Sequence, residues 1–356
     1  MDVSKKIKNK FDFQQYYQEQ YSKVITRYYD LIKEKRNSNI GYGVLLGIIV
    51  EVIYFIIMNL FKIKEIFEQY YVFFTVGYLV IVVVYVFISI HKSLKKELYK
   101  ISEYIIKDMI AFASDNELEN VKYEPKQRVS KESFDRMDLF NLDIVQYNGE
   151  NYINVLYEKK SMVFSDMHTY VYDIVETKRK IYKQGKKYIR TTRKKQKRTI
   201  FKGLYIGATL NKKNTNQIYL IPNNLKDTVI QSKIMSYIKY HGTAVMLENL
   251  DFSKKYKVFC DDEVQARYIL SLSLMEKINE LDNLFEGKKY IVFKEGKRFA
   301  ICIEGLSIEE VKKNKLPIFR NEVKEIKILS NVFEQLNNLF MVYHVLDLGN
   351  NLYVKE

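Results

Sequence analysis

Apolar residues fall into two regimes along the chain, a near-continuous one and an alternating one. Between residues 40 and 90 they are almost unbroken. Ile40 to Phe61 is 22 residues with one charge, Glu51, and Tyr71 to Ile90 is 20 residues with none. A helix rises 1.5 Å per residue, so about 20 apolar residues cross a hydrocarbon core of about 30 Å. The pattern therefore predicts two transmembrane helices, 40–61 and 71–90, joined by the nine residues Lys62 to Tyr70 into a hairpin. The first run begins some 40 residues into the chain, behind a charged and aromatic stretch, which argues against a cleavable signal peptide. On both flanks the apolar spacing becomes helical. Phe13, Tyr17, Tyr21, Val24, Tyr28 and Leu31 precede the first run, and Leu94, Leu98, Ile101, Ile105 and Phe112 follow the second. These stripes predict an N-terminal helix within 1–39 and a juxtamembrane helix over 91–115, paired as an antiparallel stalk.

From Glu117 onward the period changes to two. Alternating segments at Ile153–Tyr157, Ser161–Thr177, Ile200–Leu210, Gln217–Ile221 and Lys257–Cys260 lie between turn signals at Pro125, Asn148-Gly149, Asn211–Asn216 and Pro222-Asn-Asn224. Such runs, rich in Val, Ile, Tyr and Phe, predict antiparallel strands. Tyr290–Phe293 and Phe299–Ile303 flank Lys294-Glu-Gly-Lys297 as a hairpin. Helices are expected from Ser273 to Phe285, opened by a capping box Ser273-x-x-Glu276, and from about Glu322 to Leu346. The expected class is α+β: a two-helix transmembrane hairpin with a helical stalk, then a mostly antiparallel sheet with packed helices over 116–356.

Charge adds sidedness. The flanks carry Lys23, Arg27, Lys33, Lys35 and Arg36 before the first span and Lys92, Lys95, Lys96, Lys100 and Lys107 after the second. The connection has only Lys62 and Lys64, offset by Glu65 and Glu68, so both termini and the main domain are expected in the cytoplasm. Two Cys, in a reducing compartment, are expected as free thiols; Cys260 and Cys302 read as core residues. Glu51, the ionisable residue inside a span, reads chiefly as a neutral acid hydrogen-bonded across a helix interface to Thr75 or Ser89. The alternative is a path for ions or protons in an oligomeric conduit.

The net charge of +15 is one local feature. Outside Lys178–Lys202, residues 91–356 hold 34 basic and 35 acidic side chains. Inside it lie 13 basic residues and no acid: Lys178, Arg179, Lys180, Lys183, Lys186, Lys187, Arg190, Arg193, Lys194, Lys195, Lys197, Arg198 and Lys202. The segment sits between strand-like stretches, with Gln184-Gly185 able to turn the chain, as a long hairpin or flexible loop. Anionic lipid is one expected partner, each nearby Lys or Arg contributing on the order of 1 kcal/mol. Nucleic acid is a less favoured one, with Tyr182, Tyr188 and the arginines able to stack. A solvated charge run is the third reading.

No enzyme or cofactor signature is present. Phosphate-loop, dinucleotide, nucleophile-elbow and zincin patterns are missing, and His91, His168, His241 and His344 have no ligand spacing. Asp166 and His168, two apart, would share a strand face and read as a surface polar pair sooner than an acid–base pair. Asp261-Asp262 read as caps for the following helix. The expected role is an interaction, scaffold or regulatory domain with an unidentified protein partner, homo-oligomerisation being open.

Four blocks carry a resemblance: Phe164-Ser-x-x-His168-Thr169, Ile200-Phe-Lys-Gly-Leu204, Asp251-Phe-Ser-Lys-Lys-Tyr-Lys-Val-Phe-Cys-Asp-Asp262, and Val264-Gln-Ala-Arg-Tyr-Ile-Leu270 with Ser273-Leu-Met-Glu276. Together they resemble the uncharacterised bacterial membrane-protein family known as domain of unknown function 3137, over roughly 91–304. Leu272, Gln265 and Phe259-Cys260 depart from its pattern, as does the basic character of the loop before Phe201. The resemblance implies a membrane hairpin and a cytoplasmic domain, and no activity. Arg267, in its most specific block, is expected in a buried ion pair with Asp262 or Glu263.

Overall fold

The computed structural model describes residues 10–61, 64–113, 118–140, 146–157, 159–183, 186–224, 242–308 and 322–346, with positions 144, 232, 234, 235 and 238. The chain forms two units. One comprises Asn9–Ile105 with Glu310–Ser330, and the other Ile106–Glu309 with Asn331–Glu356 and the first residues.

In the first unit α1 (Lys10–Tyr16) runs through a π-helical turn (Tyr17–Tyr21) into α2 (Ser22–Phe61, 40 residues), followed by α3 (Lys64–Ala113, 50 residues), whose residues from Ile106 on belong to the second unit. The buried stripe is Phe13, Tyr17, Tyr21, Ile25 and Tyr28. The expected Val24 and Leu31 are not in it. A π turn holds more residues than an α turn, which rotates the following positions and brings Ile25 into line. Tyr17 donates to the fully buried carboxylate of Glu325 at 3.1 Å. Burial, with Glu325 close by, holds the Tyr29 phenol well above its ordinary range.

Among the described residues, no helix is long and apolar enough to cross a membrane. The side chains of Tyr54 and of residues 57–75 lie outside the described set, so the apolar run from Ile40 is followed unbroken only to Ile53. What is described there faces outward: Val44, Leu45, Ile48, Val52 and Phe55 on α2, and Val80, Ile81, Val83, Tyr85 and Phe87 on α3 are exposed.

The second unit is built on an antiparallel sheet of nine described strands, in the order β1-β2-β3-β4-β9-β8-β5-β7-β6. The strands are β1 (Leu118–Glu124), β2 (Gln146–Tyr157), β3 (Lys160–Lys183), β4 (Lys186–Asn214), β5 (Ile218–Pro222), β6 (Thr243–Val245), β7 (Tyr256–Cys260), β8 (Lys289–Lys294) and β9 (Gly296–Glu304). Helices α4 (Lys131–Asp135), α5 (Leu250–Lys255), α6 (Glu263–Ile269), α7 (Leu272–Leu284) and α8 (Glu322–Leu346) complete the fold. The α+β class expected from the periodicity is the class observed.

Alternation gives the sheet two apolar faces. On one, Phe164, Leu204, Ile206, Ile301 and Ile303 are buried, and Phe340 of α8 sets its ring edge-on to Phe164 at 5.6 Å. On the other, Met167, Phe201, Tyr205 and Cys302 join Phe134, Phe140 and Ile238 in a second cluster, where Phe140 stacks on Phe201 at 5.0 Å. Gly203 lies where β4 meets β9. A Cβ there would come within 2.0 Å of the Ile303 carbonyl oxygen.

Two local signals read differently in three dimensions. Asn148-Gly149 is no turn: both pair inside β2, and a Cβ on Gly149 would meet the Asp166 carbonyl oxygen at 2.3 Å. Glycine is there for close strand approach, and the irregularity comes after it, between Glu150 and Ile153, with Asn151 at φ +58°. The cap of α7 is Ser271, whose hydroxyl accepts from the Leu274 N–H at 3.3 Å, and not Ser273 two residues on.

Candidate functional site

The basic segment is a β-ribbon. Pairing of β3 with β4 continues without interruption from Tyr170↔Thr199 to Lys183↔Lys186, a two-stranded extension of about 44 Å at 3.4 Å per residue. β2 stops pairing with β3 at Tyr170, and the pairing of β9 with β4 starts at Gly203, so among the described residues no third strand flanks the ribbon. A bulge between Thr169 and Tyr170, opposite Ile200, marks the exit from the sheet. Bulges sharpen strand twist and re-aim the residues beyond them.

Residues directly opposite in an antiparallel pair share a face. The first face of the ribbon therefore carries Tyr170/Thr199, Tyr172/Lys197, Ile174/Lys195, Glu176/Arg193, Lys178/Thr191, Lys180/Ile189 and Tyr182/Lys187. The second carries Val171/Arg198, Val175/Lys194, Thr177/Thr192, Arg179/Arg190 and Ile181/Tyr188. Arg193 Nε donates to Glu176 Oε1 at 2.5 Å, and Lys197 Nζ stands 3.7 Å from the centre of the Tyr170 ring. Lys178, Arg179, Lys180, Lys187, Arg190, Arg193, Lys194, Lys195 and Lys197 are exposed, and Arg198 is half-buried. The side chains of Lys183 and Lys186 lie outside the described residues. Exposed apolar side chains are interleaved with the cations: Tyr172 at 47%, Ile174 at 61%, Tyr188 at 53% and Ile189 at 64%. The charge count alone misses these. The period-two pattern from Tyr170 through Ile174 and again at Tyr188-Ile189 was the available signal.

Asp166 and His168 have separate environments. Asp166 is buried; one carboxylate oxygen accepts from Asn151 Nδ2 at 2.8 Å and the other from the Ile308 N–H at 2.8 Å. Tyr123 in turn donates to Asn151 Oδ1 at 3.0 Å. His168 Nδ1 is hydrogen-bonded to Tyr170 Oη at 2.6 Å, on the ribbon side. Burial, then Lys202 and Lys197, hold its pKa below the ordinary histidine value. Carboxylate and imidazole thus serve two different structural contacts, one anchoring the segment after β9 and one bracing the root of the ribbon.

Arg267 is on the surface, its side chain 41% exposed, with Glu263 at 2.7 Å and Glu248 at 3.6 Å. The burial expected for this pair is corrected: α6 is a short outer helix, and its buried positions are Ala266 and Ile269. Asp262 is the cap of α6, accepting from the Gln265 N–H at 3.1 Å. Cys260 and Cys302 are buried free thiols, and burial raises the pKa of both. Glu51 is exposed on α2; the side chain of Thr75 lies outside the described residues. Among the described residues no cluster of His, Cys, Asp or Glu could hold a metal.

The second half of this sheet, with α5 to α8, is the part that known families recognise. Residues 199–348 match the family model for a protein of unknown function, DUF3137. The resemblance over 91–304 is thereby relocated: the match begins later and runs on through α8. Its first residue, Thr199, is the one opposite Tyr170 where the ribbon joins the sheet. Residues 178–198, Asp166, His168 and both apolar runs precede it. No curated protein matches the chain. The crystal structure of the mycobacterial trehalose monomycolate transport factor A, TtfA, is similar at a TM-score of 0.28 with 10% identity, over 67% of this chain and 95% of that one. That likeness is too slight to transfer a fold or a function.

Proposed function

We propose that the chain is a bacterial inner-membrane protein that spans the bilayer at Ile40–Phe61 and Tyr71–Ile90 and keeps its α+β unit in the cytoplasm, where the β3–β4 ribbon binds anionic lipid headgroups. The observation that carries this reading is the ribbon itself, with a dense set of exposed cations on a continuously paired two-stranded arm. Exposed apolar rings and aliphatics between those cations suit the boundary between headgroup and acyl chain. The outward-facing apolar side chains of α2 and α3 support the spans, since exposed apolar patches of that extent mark an apolar solvent or a partner. Lysines and arginines flank the two runs and are few in the connection, which supports the sidedness. Tethering keeps the ribbon at high effective concentration beside the headgroups. Its role is scaffolding or regulation of a membrane process.

The full-length chain, reconstituted in nanodiscs, tests this. Amine acetylation read by mass spectrometry should show ribbon lysines protected in discs containing phosphatidylglycerol and open in neutral discs. Neutralising Arg193, Lys194, Lys195, Lys197 and Arg198 together should abolish the protection that remains measurable at Lys178 and Lys180. Protection by an oligonucleotide but not by anionic discs would replace lipid with nucleic acid. A chain washed from native membranes by alkaline carbonate would remove the spans.

A further inference from the structure

The ribbon's two faces are nearly matched in charge and unlike in apolar exposure. The first face has Lys178, Lys180, Lys187, Lys195 and Lys197, with Arg193 engaged by Glu176. The second has Arg179, Arg190, Lys194 and Arg198. Charge alone therefore selects neither face. On the first, Tyr172, Ile174 and Ile189 stand more than 45% exposed, two of them opposite a lysine and the third opposite Lys180. On the second, Val171, Val175 and Ile181 are half-buried, and among its described apolar side chains only Tyr188 is exposed. Val171 also packs against the aromatic cluster around Phe201, which ties the root of that face to the core.

We infer that the first face, with Tyr172, Ile174 and Ile189 as its anchors, is the surface that lies on an anionic bilayer, the lysines reaching headgroup phosphates while the apolar side chains enter the interfacial layer. This rests on the proposed binding of anionic lipid and specifies its geometry. An aliphatic or aromatic side chain gains by leaving water. The long lysine stems opposite these residues lie along the same apolar layer and keep their ammonium groups at headgroup level. Arginine-rich contact through the second face would leave Ile174 and Ile189 in water and gain nothing from them. Nucleic acid is the poorer occupant: among the described side chains the first face presents two exposed aliphatic anchors and one exposed ring, where stacking on bases calls for a series of rings.

The chain has no Trp, so one introduced indole reports alone. Full-length Tyr172→Trp and Tyr188→Trp variants would be placed in nanodiscs with brominated phosphatidylglycerol, and ribbon lysine acetylation followed in the same samples. The expected result is loss of at least half the emission from the variant at 172 and little change from the variant at 188. Ile189→Trp gives a second indole on the first face should the variant at 172 fold poorly. Equal quenching of both sites, or quenching at 188 alone, overturns the face assignment and leaves the anionic-lipid reading standing. Lysine protection with quenching at neither site overturns interfacial insertion alone. Neither quenching nor protection overturns the reading together with the inference.

Discussion

Asn151 Nδ2 donates to Asp166 Oδ2 across 2.8 Å, joining an irregular turn of β2 to the buried side of β3. The other carboxylate oxygen holds the Ile308 N–H, so one side chain fixes both the bulge at the start of the sheet and the segment that leaves its last strand. Removing a buried acceptor strands its donors, at about 2–3 kcal/mol for a charged acceptor. Asp166→Ala should lower stability by about that amount, read from the denaturant midpoint of the full-length chain. A cycle with Asn151→Ala should give a coupling of about 1 kcal/mol. Additive single effects would mean that the two side chains act independently.

Gly203 tests strand approach. Since a Cβ at this position would overlap the Ile303 carbonyl oxygen and press on the Phe201 ring at 2.9 Å, Gly203→Ala must push β4 from β9. Overpacking of this kind costs about 3 kcal/mol at its upper range. A thermal melt unchanged by the substitution would show that the two strands do not lie this close.

Lys289 is a buried cation with a defined purpose. It donates to Asp282 Oδ1 at 2.7 Å and to the Phe285 carbonyl at 2.8 Å, closing the end of α7, while Lys255 donates to the other Asp282 oxygen at 2.6 Å. Burial pushes the Asp282 carboxyl up, and the two lysines outweigh it, leaving it below the usual carboxylate range. A carboxyl depressed in the fold stabilises it above the unfolded pKa of about 3.9 and loses that contribution as pH falls through the folded value. Stability should therefore drop below about pH 4, and Asp282→Asn should flatten that drop. Lys289→Met should strip Asp282 of its buried partner, leaving Lys255 alone on the carboxylate, and lower stability at pH 7 as well.

His168 has the same sign in a higher pH window. Its fold-state pKa is lowered, so protonation is disfavoured in the fold and stability is lost as pH falls below about 6.5. Nuclear magnetic resonance of the imidazole should give a pKa under the ordinary value, and Lys202→Gln with Lys197→Gln should raise it. An unchanged value in that double variant would place the cause in burial alone.

Sequence periodicity exposes most of the sheet because each strand has at least one buried face. Ile153–Tyr157 and Phe299–Ile303 alternate or run apolar for that reason and fall inside observed strands, and Gln217–Ile221 starts one residue ahead of β5. β1, whose Leu118 and Tyr123 are separated by charged residues and by Asn120 at φ +52°, and the three-residue β6 carry too few inward positions to register. The ribbon was harder to settle. Strand or loop are both open for a run of lysines, and what decides between them is cross-strand pairing, which composition does not contain. Arg267 misled in the other direction: the apolar block around it, Val264 to Leu270, suggested an interior, yet its Val264 and Tyr268 are exposed. The Asp166 network could not be read at all, since Asn151 and Ile308 are distant in sequence from one another and meet only through the fold.

The strands of the ribbon are also strands of the sheet's middle, with β2 on one side and β9 on the other. Backbone therefore runs unbroken from the tip at Lys183 and Lys186 to the interior of the unit. A pull along the ribbon is carried in shear by two flanking ladders whose hydrogen bonds share the load, so they must give way together and not one at a time. An arm built this way passes tension inward past the bulge at its root: whatever grips it tugs on the centre of the domain.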